Sequence, residues 1–338
     1  MKTGITSYGF YIPQYRIRVA DIANAWGKNP AEIEHSLGVK EKTVSSAAED
    51  SLTMAYESSS IAMKHIKEPI GALFFGTESP VYAVNPSSTI LGELLDIGNN
   101  YLAYDTQFAC KAATGALISA LGLVESKQIK SALVVASDKA TGKPHDALEY
   151  TAASGSVSLI VGEKNPILAI EAWESFSSDT PDFWRREGLK YPSHGGRFTG
   201  KPSYFKHIIG SVNTLLSKSG SKASDFDYAV FHMPNGKFPV QVASQLGFTP
   251  NQIQKSLIVS ELGNSYTASA LMGLVSTLEF AKPGERILFA SYGSGAGSDA
   301  FIFKVTKEIE KRRLYFSKSI KEKKYIDYST YLKFMRII

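Results

Sequence analysis

The chain contains an internal repeat. Residues 110–137 align without a gap with residues 264–291, and apolar or small side chains coincide at most positions. Each segment begins with a stretch that is apolar on nearly every side, which predicts a buried helix, and ends with an apolar run that predicts a strand. The strand residues Leu133–Ser137 coincide with Ile287–Ser291. The repeat therefore favours a duplicated α/β architecture, because both copies should form the same helix–strand unit.

The similarity extends outward from the two central segments. Residues 72–78 (ALFFGTE) resemble residues 229–235 (AVFHMPN), and residues 154–162 resemble residues 297–305. The alternative is chance similarity between two ordinary helix–strand units, and the preserved order of the three matched pieces argues against it. We predict two pseudo-symmetric halves, each of βαβαβ type around a central buried helix.

Composition and charge define the class of protein. With 338 residues, 43% of them hydrophobic and 20% charged, the chain has the profile of a folded, soluble protein. Residues 307–324 hold eight Lys or Arg against three Glu, which accounts for the whole net charge of +5. The neutral remainder argues against a nucleic-acid-binding protein. We expect an N-terminal half at 1–165, a C-terminal half at 166–306 and a basic, aromatic-rich extension at 307–338.

Signals for export or membrane insertion are not found in the sequence. Residues 1–13 lack the apolar run of a signal peptide, and no uncharged apolar segment reaches the roughly 18 residues that a membrane span needs. We expect a cytoplasmic protein that does not act at a membrane.

Cys110 is the single cysteine, which excludes internal disulfides and multi-cysteine metal sites. It stands at the start of the first predicted buried helix. Backbone N–H groups and the positive end of the helix dipole favour a thiolate there, and they can hold the oxyanion that forms when a thiolate attacks a carbonyl carbon. The position suggests a nucleophile. The alternative is a buried thiol that acts only as a small apolar side chain.

His232 and Glu78 follow the two strands that the repeat makes equivalent. Sites in α/β proteins collect at the C-terminal ends of strands, so His232 is the favoured partner of Cys110 among the six histidines. Glu78 is either a cap or turn residue, or a base with a raised pKa in an apolar site. Since the repeat also pairs Cys110 with Asn264, four polar side chains are expected to converge on one axis.

The other histidines give weaker signals. Two lie in charged helical surroundings and are expected at the surface, while three lie in polar or loop-like sequence and stay undecided: His35 and His65, then His145, His194 and His207. No pair has the spacing of a helical zinc motif, so we expect no metal.

The glycine run at 293–297 resembles a dinucleotide-binding loop only superficially. A strand pattern follows it, so the loop-to-helix context of nucleotide binding is missing. We interpret the run as a backbone loop lining the site, with a purely structural turn as the alternative.

Several long strings resemble the 3-hydroxy-3-methylglutaryl-CoA synthase family, in particular its archaeal branch, within the thiolase superfamily. The similarity covers nearly the whole chain and includes GTESP (76–80), FACKAATGAL (108–117), HMPNGK (232–237), LGNSYTAS (262–269) and YGSGAGSDAF (292–301). The resemblance implies a thiolase-like fold with five layers in the order α-β-α-β-α.

The resemblance also implies catalytic roles. Cys110 would accept the acetyl group of acetyl-CoA, and Glu78 would act as general acid and base. His232 would orient and polarise the carbonyl of the second substrate. An acetyl group on a cysteine remains a thioester, whose methyl group can lose a proton to a carboxylate in a dry site and then add to the ketone of acetoacetyl-CoA. Such a reaction requires no metal or redox cofactor.

Substrate contacts are implied for three further residues. Lys237 would face the phosphate or pantetheine part of CoA, and Asn264 and Ser294 would help to hold the acetoacetyl thioester. One position departs from the pattern: where the bacterial branch has a tyrosine, this chain has Gly142. That contact is either lost or made by another residue.

Two alternative functions remain open. A type III ketoacyl synthase combines the same cysteine with a histidine and an asparagine, which His232 and Asn264 also satisfy. Decarboxylation creates its own carbanion, so the presence of Glu78 favours the synthase. A non-catalytic scaffold that channels CoA intermediates is disfavoured because the cysteine, the carboxylate and the histidine are all present.

The resemblance further implies partners. Proteins of this fold pair strand edges as homodimers, and the archaeal branch works with an acetoacetyl-CoA thiolase and a small bridging protein. We hypothesise that residues 307–338 help to hold that assembly or the subunit fold; the alternative is a solvated charged helix. The aromatic residues that suit an interface are Tyr325, Tyr328, Tyr331 and Phe334.

Overall fold

The computed structural model describes residues 3–338. Its strands, numbered along the chain, are β1 Gly4–Tyr11, β2 Tyr15–Arg18, β3 Glu41–Val44, β4 Ile70–Gly76, β5 Leu102–Thr106, β6 Ser131–Lys139, β7 Ser154–Gly162, β8 Leu168–Ser177, β9 Phe183–Trp184, β10 Ser193–His194, β11 Tyr228–Phe231, β12 Arg286–Ala290, β13 Gly297–Val305 and β14 Lys324–Tyr325.

The helices differ widely in length and include several of a single turn. They are α1 Val19–Ala25, α2 Pro30–Leu37, α3 Ser51–Met63, α4 Ser87–Leu94, α5 Ala112–Glu125, α6 Lys206–Ser219, α7 Phe238–Gln245, α8 Pro250–Ile253, α9 Val259–Leu262, α10 Ser269–Leu278, α11 Ile309–Arg312, α12 Phe316–Ser319 and α13 Tyr328–Phe334. Across residues 3–338, no helix combines the length and the apolar character that a membrane crossing demands.

One large sheet carries the duplication. Within residues 3–338 it has nine strands in the order β11-β12-β13-β8-β1-β7-β6-β4-β5. The strand β4 runs parallel to β6, and β6 runs antiparallel to β7. The same relations hold for β11, β12 and β13 in the other half, so the duplication predicted from the repeat is confirmed. In that half, the described sheet has no strand equivalent to β5.

Successive side chains of each strand pack against different helices, which divides the fold into layers. Val134 of β6 lies in a central apolar cluster with α5 and α10, whereas the adjacent Leu133 packs outward with α3 and α4. In the other half, Phe289 of β12 faces the central cluster and Leu288 faces an outer cluster with α6. The two halves of the large sheet therefore face each other across the central helices α5 and α10 and count as two sheet layers. The layers follow the order helix, sheet, helix, sheet, helix, which confirms the predicted thiolase-like α/β arrangement.

The two central helices differ in burial. All ten residues of α10 are buried, as predicted. The prediction of burial on all sides is wrong for α5, where Ser119, Gly122 and Glu125 are exposed. The reason is its position beside β5, the outermost strand of its half, where the described chain places no further strand.

Residues 307–338 are part of the folded body. Ile309, Phe316 and Ile320 complete the central cluster, while Tyr331 and Met335 pack in a separate cluster with β2, β3 and α1. The strand β14 adds to β2 in a small sheet of order β14-β2-β3. A solvated charged helix, the alternative considered from the sequence, is therefore wrong for this segment.

Candidate active site

Cys110 lies in a sharp turn between β5 and α5. Ala109 adopts φ = 44°, a left-handed backbone that costs energy for a residue with a Cβ atom. The next residue, Lys111, is buried, and its Nζ contacts Asp299 Oδ1 of β13 at 2.8 Å. The turn is thereby anchored to the other half of the molecule, and it holds Cys110 with only 5% of its surface exposed.

The two copies of the repeat meet next to this turn. The backbone N–H of Ala113 donates to Thr267 Oγ1, the residue at the equivalent position of the second copy, at 3.2 Å. Asn264 bonds through its backbone to the first half, donating to Thr151 O at 2.7 Å and accepting from Ala153 N at 2.9 Å. This contact explains why residues far apart in sequence reach one site.

A small cavity of about 70 Å³ forms where the two halves meet. Four of the six residues predicted from the sequence line it: Cys110, His232, Asn264 and Ser294. The remaining lining residues are Leu148, Asp182, Phe183, His194, Thr199, Pro234 and Tyr266.

Glu78 lines an adjoining cavity of about 30 Å³. Phe183 and Tyr266 line both cavities, and Glu78 contacts the Cys110 side chain. The Glu78 Oε1 atom is buried and makes no hydrogen bond with any of the described residues. A carboxyl oxygen in this state is poorly solvated, which favours the protonated form.

Asp138, at the end of β6, fixes the chain around Glu78. Its Oδ1 accepts hydrogen bonds from Thr77 Oγ1, from the backbone N–H of Glu78 and from both the N–H and the hydroxyl of Ser79, at 2.7–3.0 Å. Its Oδ2 accepts from the backbone N–H of Thr267 at 3.0 Å. The carboxylate therefore ties the Glu78 loop to the second copy of the repeat.

The environment of Glu78 and Cys110 opposes ionisation of both groups. Burial, reinforced by the charge of Asp138, raises the pKa of Glu78 to about 8. Burial, reinforced by the charge of Glu78, raises the pKa of Cys110 well above its ordinary value. The expectation that the helix start stabilises a thiolate is therefore corrected, because burial and the nearby carboxylate outweigh the helix dipole. The resting site holds a thiol.

His232 follows β11 directly and is held from several sides. Its backbone N–H donates to Ala290 O at 2.9 Å, and its carbonyl accepts from the hydroxyl of Tyr204 at 2.6 Å. The ring packs beside Tyr292, and Nδ1 is buried without a partner among the described residues. Burial lowers the pKa of His232 to about 3, so the ring is neutral and acts as a hydrogen-bonding group.

Asn264 and Ser294 present their side chains at the cavity from two different loops. Asn264 Oδ1 accepts from Tyr266 N at 3.0 Å, which leaves the amide NH₂ group as its donor toward the cavity. At Gly293, a Cβ atom would lie 2.6 Å from Phe108 O, just before the cysteine turn. Glycine is needed there so that the loop carrying Ser294 can approach that turn, which supports the interpretation as a lining loop.

Lys237 does not reach the cavity. It is partly buried and caps the start of α7, where its backbone N–H donates to Asn235 Oδ1 at 2.8 Å. Its predicted contact with CoA stays a prediction.

The backbone around Gly142 explains why this chain has glycine where the bacterial branch has a tyrosine. A Cβ atom there would lie 2.4 Å from the backbone nitrogen of Glu149, so no larger residue fits this backbone. The hydroxyl of Tyr266 donates to Thr141 O, directly before Gly142, at 3.2 Å. Tyr266 therefore supplies an aromatic ring at this wall of the site.

Several lining or supporting residues were not identified from the sequence. Asp138 ends an apolar strand, the same signal that drew attention to Glu78 and His232, and could have been found by it. Asp182 gave no signal, since its site role depends on Tyr292, whose hydroxyl donates to Asp182 Oδ2 at 2.6 Å. His194 was left undecided and lines the cavity.

The remaining histidines lie elsewhere. His35 and His65 are exposed, as expected. His145 stacks on Trp26, and His207 is buried beside Thr180. In the described part of the chain, residues 3–338, no group of three or more His, Cys, Asp or Glu side chains is arranged to hold a metal ion.

Models of known protein families match both halves. Residues 1–166 match the N-terminal region of hydroxymethylglutaryl-coenzyme A synthase. Residues 216–305 match the C-terminal region of 3-oxoacyl-[acyl-carrier-protein] synthase III. The site-bearing parts of both halves therefore resemble enzymes that condense acyl thioesters.

Similar proteins extend over the full length. The chain is 50% identical to a hydroxymethylglutaryl-CoA synthase of Archaeoglobus fulgidus, with 99% of both chains covered. It is 47% identical to the enzyme of that name from Pyrobaculum aerophilum, with 100% and 98% covered. A solved structure of MvaS in complex with 3-hydroxy-3-methylglutaryl coenzyme A superimposes with a TM-score of 0.90 at 25% identity, covering 99% of this chain and 91% of that one.

Proposed function

Because the chain belongs to the hydroxymethylglutaryl-CoA synthase family, we propose that Cys110, Glu78 and His232 divide the steps of that family's reaction among them. The reaction condenses acetyl-CoA with acetoacetyl-CoA and water to 3-hydroxy-3-methylglutaryl-CoA and CoA, an acyl transfer of the mevalonate pathway that forms a carbon–carbon bond. The observation that carries the assignment of residues is the shared cavity of Cys110, His232, Asn264 and Ser294, with Glu78 beside the thiol.

In the first half-reaction, the sulfur of Cys110 attacks the carbonyl carbon of acetyl-CoA and CoA leaves. The product is a thioester on the only cysteine of the chain. Because Cys110 sits at 5% exposure in a small cavity, bulk water has little access to this intermediate.

In the second half-reaction, Glu78 removes a proton from the acetyl methyl group. A pKa of about 8 makes its carboxylate a stronger base than an ordinary glutamate and still leaves a fraction ionised near neutral pH. The buried, unpaired Oε1 is the atom best suited to receive the proton. The carbanion then attacks the ketone of acetoacetyl-CoA.

His232 stabilises the alkoxide that forms in this attack. Since burial holds its pKa near 3, it does so as a neutral hydrogen-bond donor and not as an imidazolium. The amide of Asn264 and the hydroxyl of Ser294 add polar contacts for the acetoacetyl thioester. Lys237, at the start of α7, is assigned to the phosphate or pantetheine part of CoA. After the alkoxide is protonated, water hydrolyses the thioester that still joins the product to Cys110, which releases 3-hydroxy-3-methylglutaryl-CoA and restores the thiol. The steps are acyl transfer, proton transfer, carbon–carbon addition and hydrolysis, so we assign no metal and no redox cofactor.

The type III ketoacyl synthase is the second candidate, because the C-terminal half matches that family. Full-length relatives at 46–50% identity are hydroxymethylglutaryl-CoA synthases, and Glu78 has no task in a decarboxylative condensation. These two observations favour the synthase over the alternative.

Mass spectrometry of the intact protein tests both half-reactions. Mixing with acetyl-CoA is expected to add one acetyl group, and subsequent acetoacetyl-CoA is expected to remove it as product. Cys110→Ser is expected to show no stable acetyl adduct. Glu78→Ala is expected to acquire the acetyl group and to condense at least about 10²-fold more slowly than wild type. Glu78→Gln keeps the size of the side chain and lacks the carboxylate, so it is the matched control for the loss of packing in Glu78→Ala. Normal condensation by Glu78→Ala would contradict the proposed base.

The proposed homodimer and the proposed complex with a thiolase are supported by exposed surfaces of the chain. A homodimer through β5 would cover both the free edge of that strand, where Leu102 is 47% exposed, and the exposed side of α5. A complex with an acetoacetyl-CoA thiolase and a bridging protein, in the cytoplasm, would deliver acetoacetyl-CoA directly. The aromatic residues of 307–338 are only partly available for such contacts, since Tyr331 is buried and Tyr325 is 42% exposed.

A further inference from the structure

The first half-reaction needs a group that takes the proton of the Cys110 thiol. Cys110 is a buried thiol with a raised pKa, so its proton must leave as the sulfur attacks. Glu78, with a pKa of about 8, is mostly protonated at neutral pH. His232 has a pKa near 3, so its neutral ring does not accept a second proton at neutral pH. Because only the small ionised fraction of Glu78 can receive this proton, and Glu78 is assigned to the methyl proton of the second half-reaction, we expect the cavity to provide a second acid–base group.

His194 is a second histidine on the same cavity. Its Nε2 lies 3.2 Å from Asp146 Oδ1 and 3.4 Å from Oδ2. The two side chains are 29% and 33% exposed, so water can exchange protons with the pair. With Nε2–H donated to the carboxylate, Nδ1 is the nitrogen left to accept a proton, and the carboxylate stabilises the imidazolium that results.

The turn that carries Asp146 is built rigidly. Asp146 Oδ1 also accepts from the backbone N–H of Leu148, which lines the cavity, at 2.9 Å. Glu149, fully buried in the same turn, accepts from Tyr328 Oη of α13 at 2.8 Å and from Trp26 Nε1 at 3.0 Å. A buried carboxylate with this many donors resists displacement, so Asp146 is held in place.

The position of His194 is set independently by a short hairpin. In this hairpin, His194 of β10 pairs with Phe183 of β9, which lines the same cavity. Gly195 N donates to Asp182 O at 2.7 Å, which adds one more backbone hydrogen bond next to the His194–Phe183 pair. The hairpin therefore positions His194 at the site, and the turn described above positions Asp146.

We propose that His194, paired with Asp146, is a further catalytic residue that takes the proton of the Cys110 thiol and passes it to the departing CoA sulfur. The S–H bond of Cys110 breaks as its sulfur forms a bond to the acetyl carbon, and the proton goes to His194 Nδ1. The bond from the acetyl carbon to the CoA sulfur then breaks, and His194 returns the proton to that sulfur. Atoms and charge balance without another reactant, and the step rests on the proposed function.

The other titratable groups that line this cavity are Cys110, Asp182, His232 and Tyr266. Asp182 is 1% exposed, and its Oδ2 is engaged by the hydroxyl of Tyr292.

The test measures the two half-reactions separately in the full-length protein. Rapid quenching with acetyl-CoA gives the rate of Cys110 acetylation from intact mass. Release of the acetyl group by acetoacetyl-CoA is followed on enzyme that has been acetylated beforehand. The variants are His194→Gln and Asp146→Asn, and His35→Gln, at an exposed histidine, is the matched control.

His194→Gln is expected to slow acetylation by about 10²-fold or more, with a smaller loss for Asp146→Asn and none for the control. Added imidazole is expected to restore part of the acetylation rate of His194→Gln, which a purely structural role of His194 would not allow. Unchanged acetylation in His194→Gln would overturn the proposal, as would equal loss in both half-reactions without rescue. Wild-type protein that acquires no acetyl group would instead contradict the proposed function.

Discussion

Removal of residues 307–338 is expected to prevent folding of the catalytic body. Truncation after Thr306 deletes five apolar side chains that are 0–8% exposed: Ile309, Phe316, Ile320, Tyr331 and Met335. At about 1.5–3 kcal/mol for each buried side chain, the loss is about 7–15 kcal/mol, which equals the whole stability of a typical domain, about 5–15 kcal/mol. The truncated chain also leaves Lys42 and Glu149 buried with fewer partners, since Tyr331 and Tyr328 contact them.

A point substitution in residues 307–338 is expected to lower the free energy of unfolding by a measurable amount. Phe316 is 2% exposed and packs its ring 5.3 Å from that of Phe10 in the central cluster. Phe316→Ala is expected to lower the free energy of unfolding by about 3–5 kcal/mol, measured by urea denaturation followed by circular dichroism. Lys321→Ala, at an exposed position of the same segment, is the control and is expected to change it by less than about 0.5 kcal/mol. A truncated protein that unfolds cooperatively at the urea midpoint of the full chain would refute the reasoning.

Three further predictions concern the site and the assembly. The proposed base, Glu78, can act only when it is ionised, and its pKa is about 8, so the rate of condensation is expected to rise with pH up to about 8 and then level off; a midpoint near the ordinary glutamate pKa would contradict this. A carboxyl with a raised pKa destabilises the fold increasingly as pH rises from its ordinary pKa of 4.5 to about 8. The free energy of unfolding of Glu78→Gln, measured by urea denaturation, is therefore expected to exceed that of wild type above pH 8 by up to about 5 kcal/mol, and the difference is expected to vanish in acid. Sedimentation is expected to give twice 36.8 kDa, and Leu102→Lys on the edge strand is expected to shift the protein toward monomer; a wild-type monomer at all concentrations would count against the dimer.

The fold and the position of Cys110 at the site could be predicted because both follow from local patterns. The repeat placed Cys110 and Asn264 at equivalent positions, and the bond between Ala113 and Thr267 shows the two copies in contact. Strand ends predicted Glu78 and His232, since sites gather at the carboxyl edge of a sheet.

The electrostatics of the site could not be predicted in the same way. The start of a helix predicts a stabilised thiolate at Cys110, but the pKa depends on burial and on Glu78, which is distant in sequence. The pairing of His194 with Asp146 likewise depends on a hairpin and a turn that only the tertiary structure brings together. Periodicity reports which side of an element is buried, and it carries no information on which polar groups share that buried space.

The contact between α13 and the Glu149 turn has a consequence for how the protein is made. Tyr328 and Tyr331 follow Cys110, Glu78 and His232 in the chain and leave the ribosome after them. Until they emerge, Glu149 lacks a donor, and the wall of the cavity that carries Asp146 and Leu148 is not fastened. A nascent chain that already contains Cys110, Glu78 and His232 but not yet α13 is therefore expected to be inactive, and the surroundings of the Cys110 thiol are completed only once α13 has emerged.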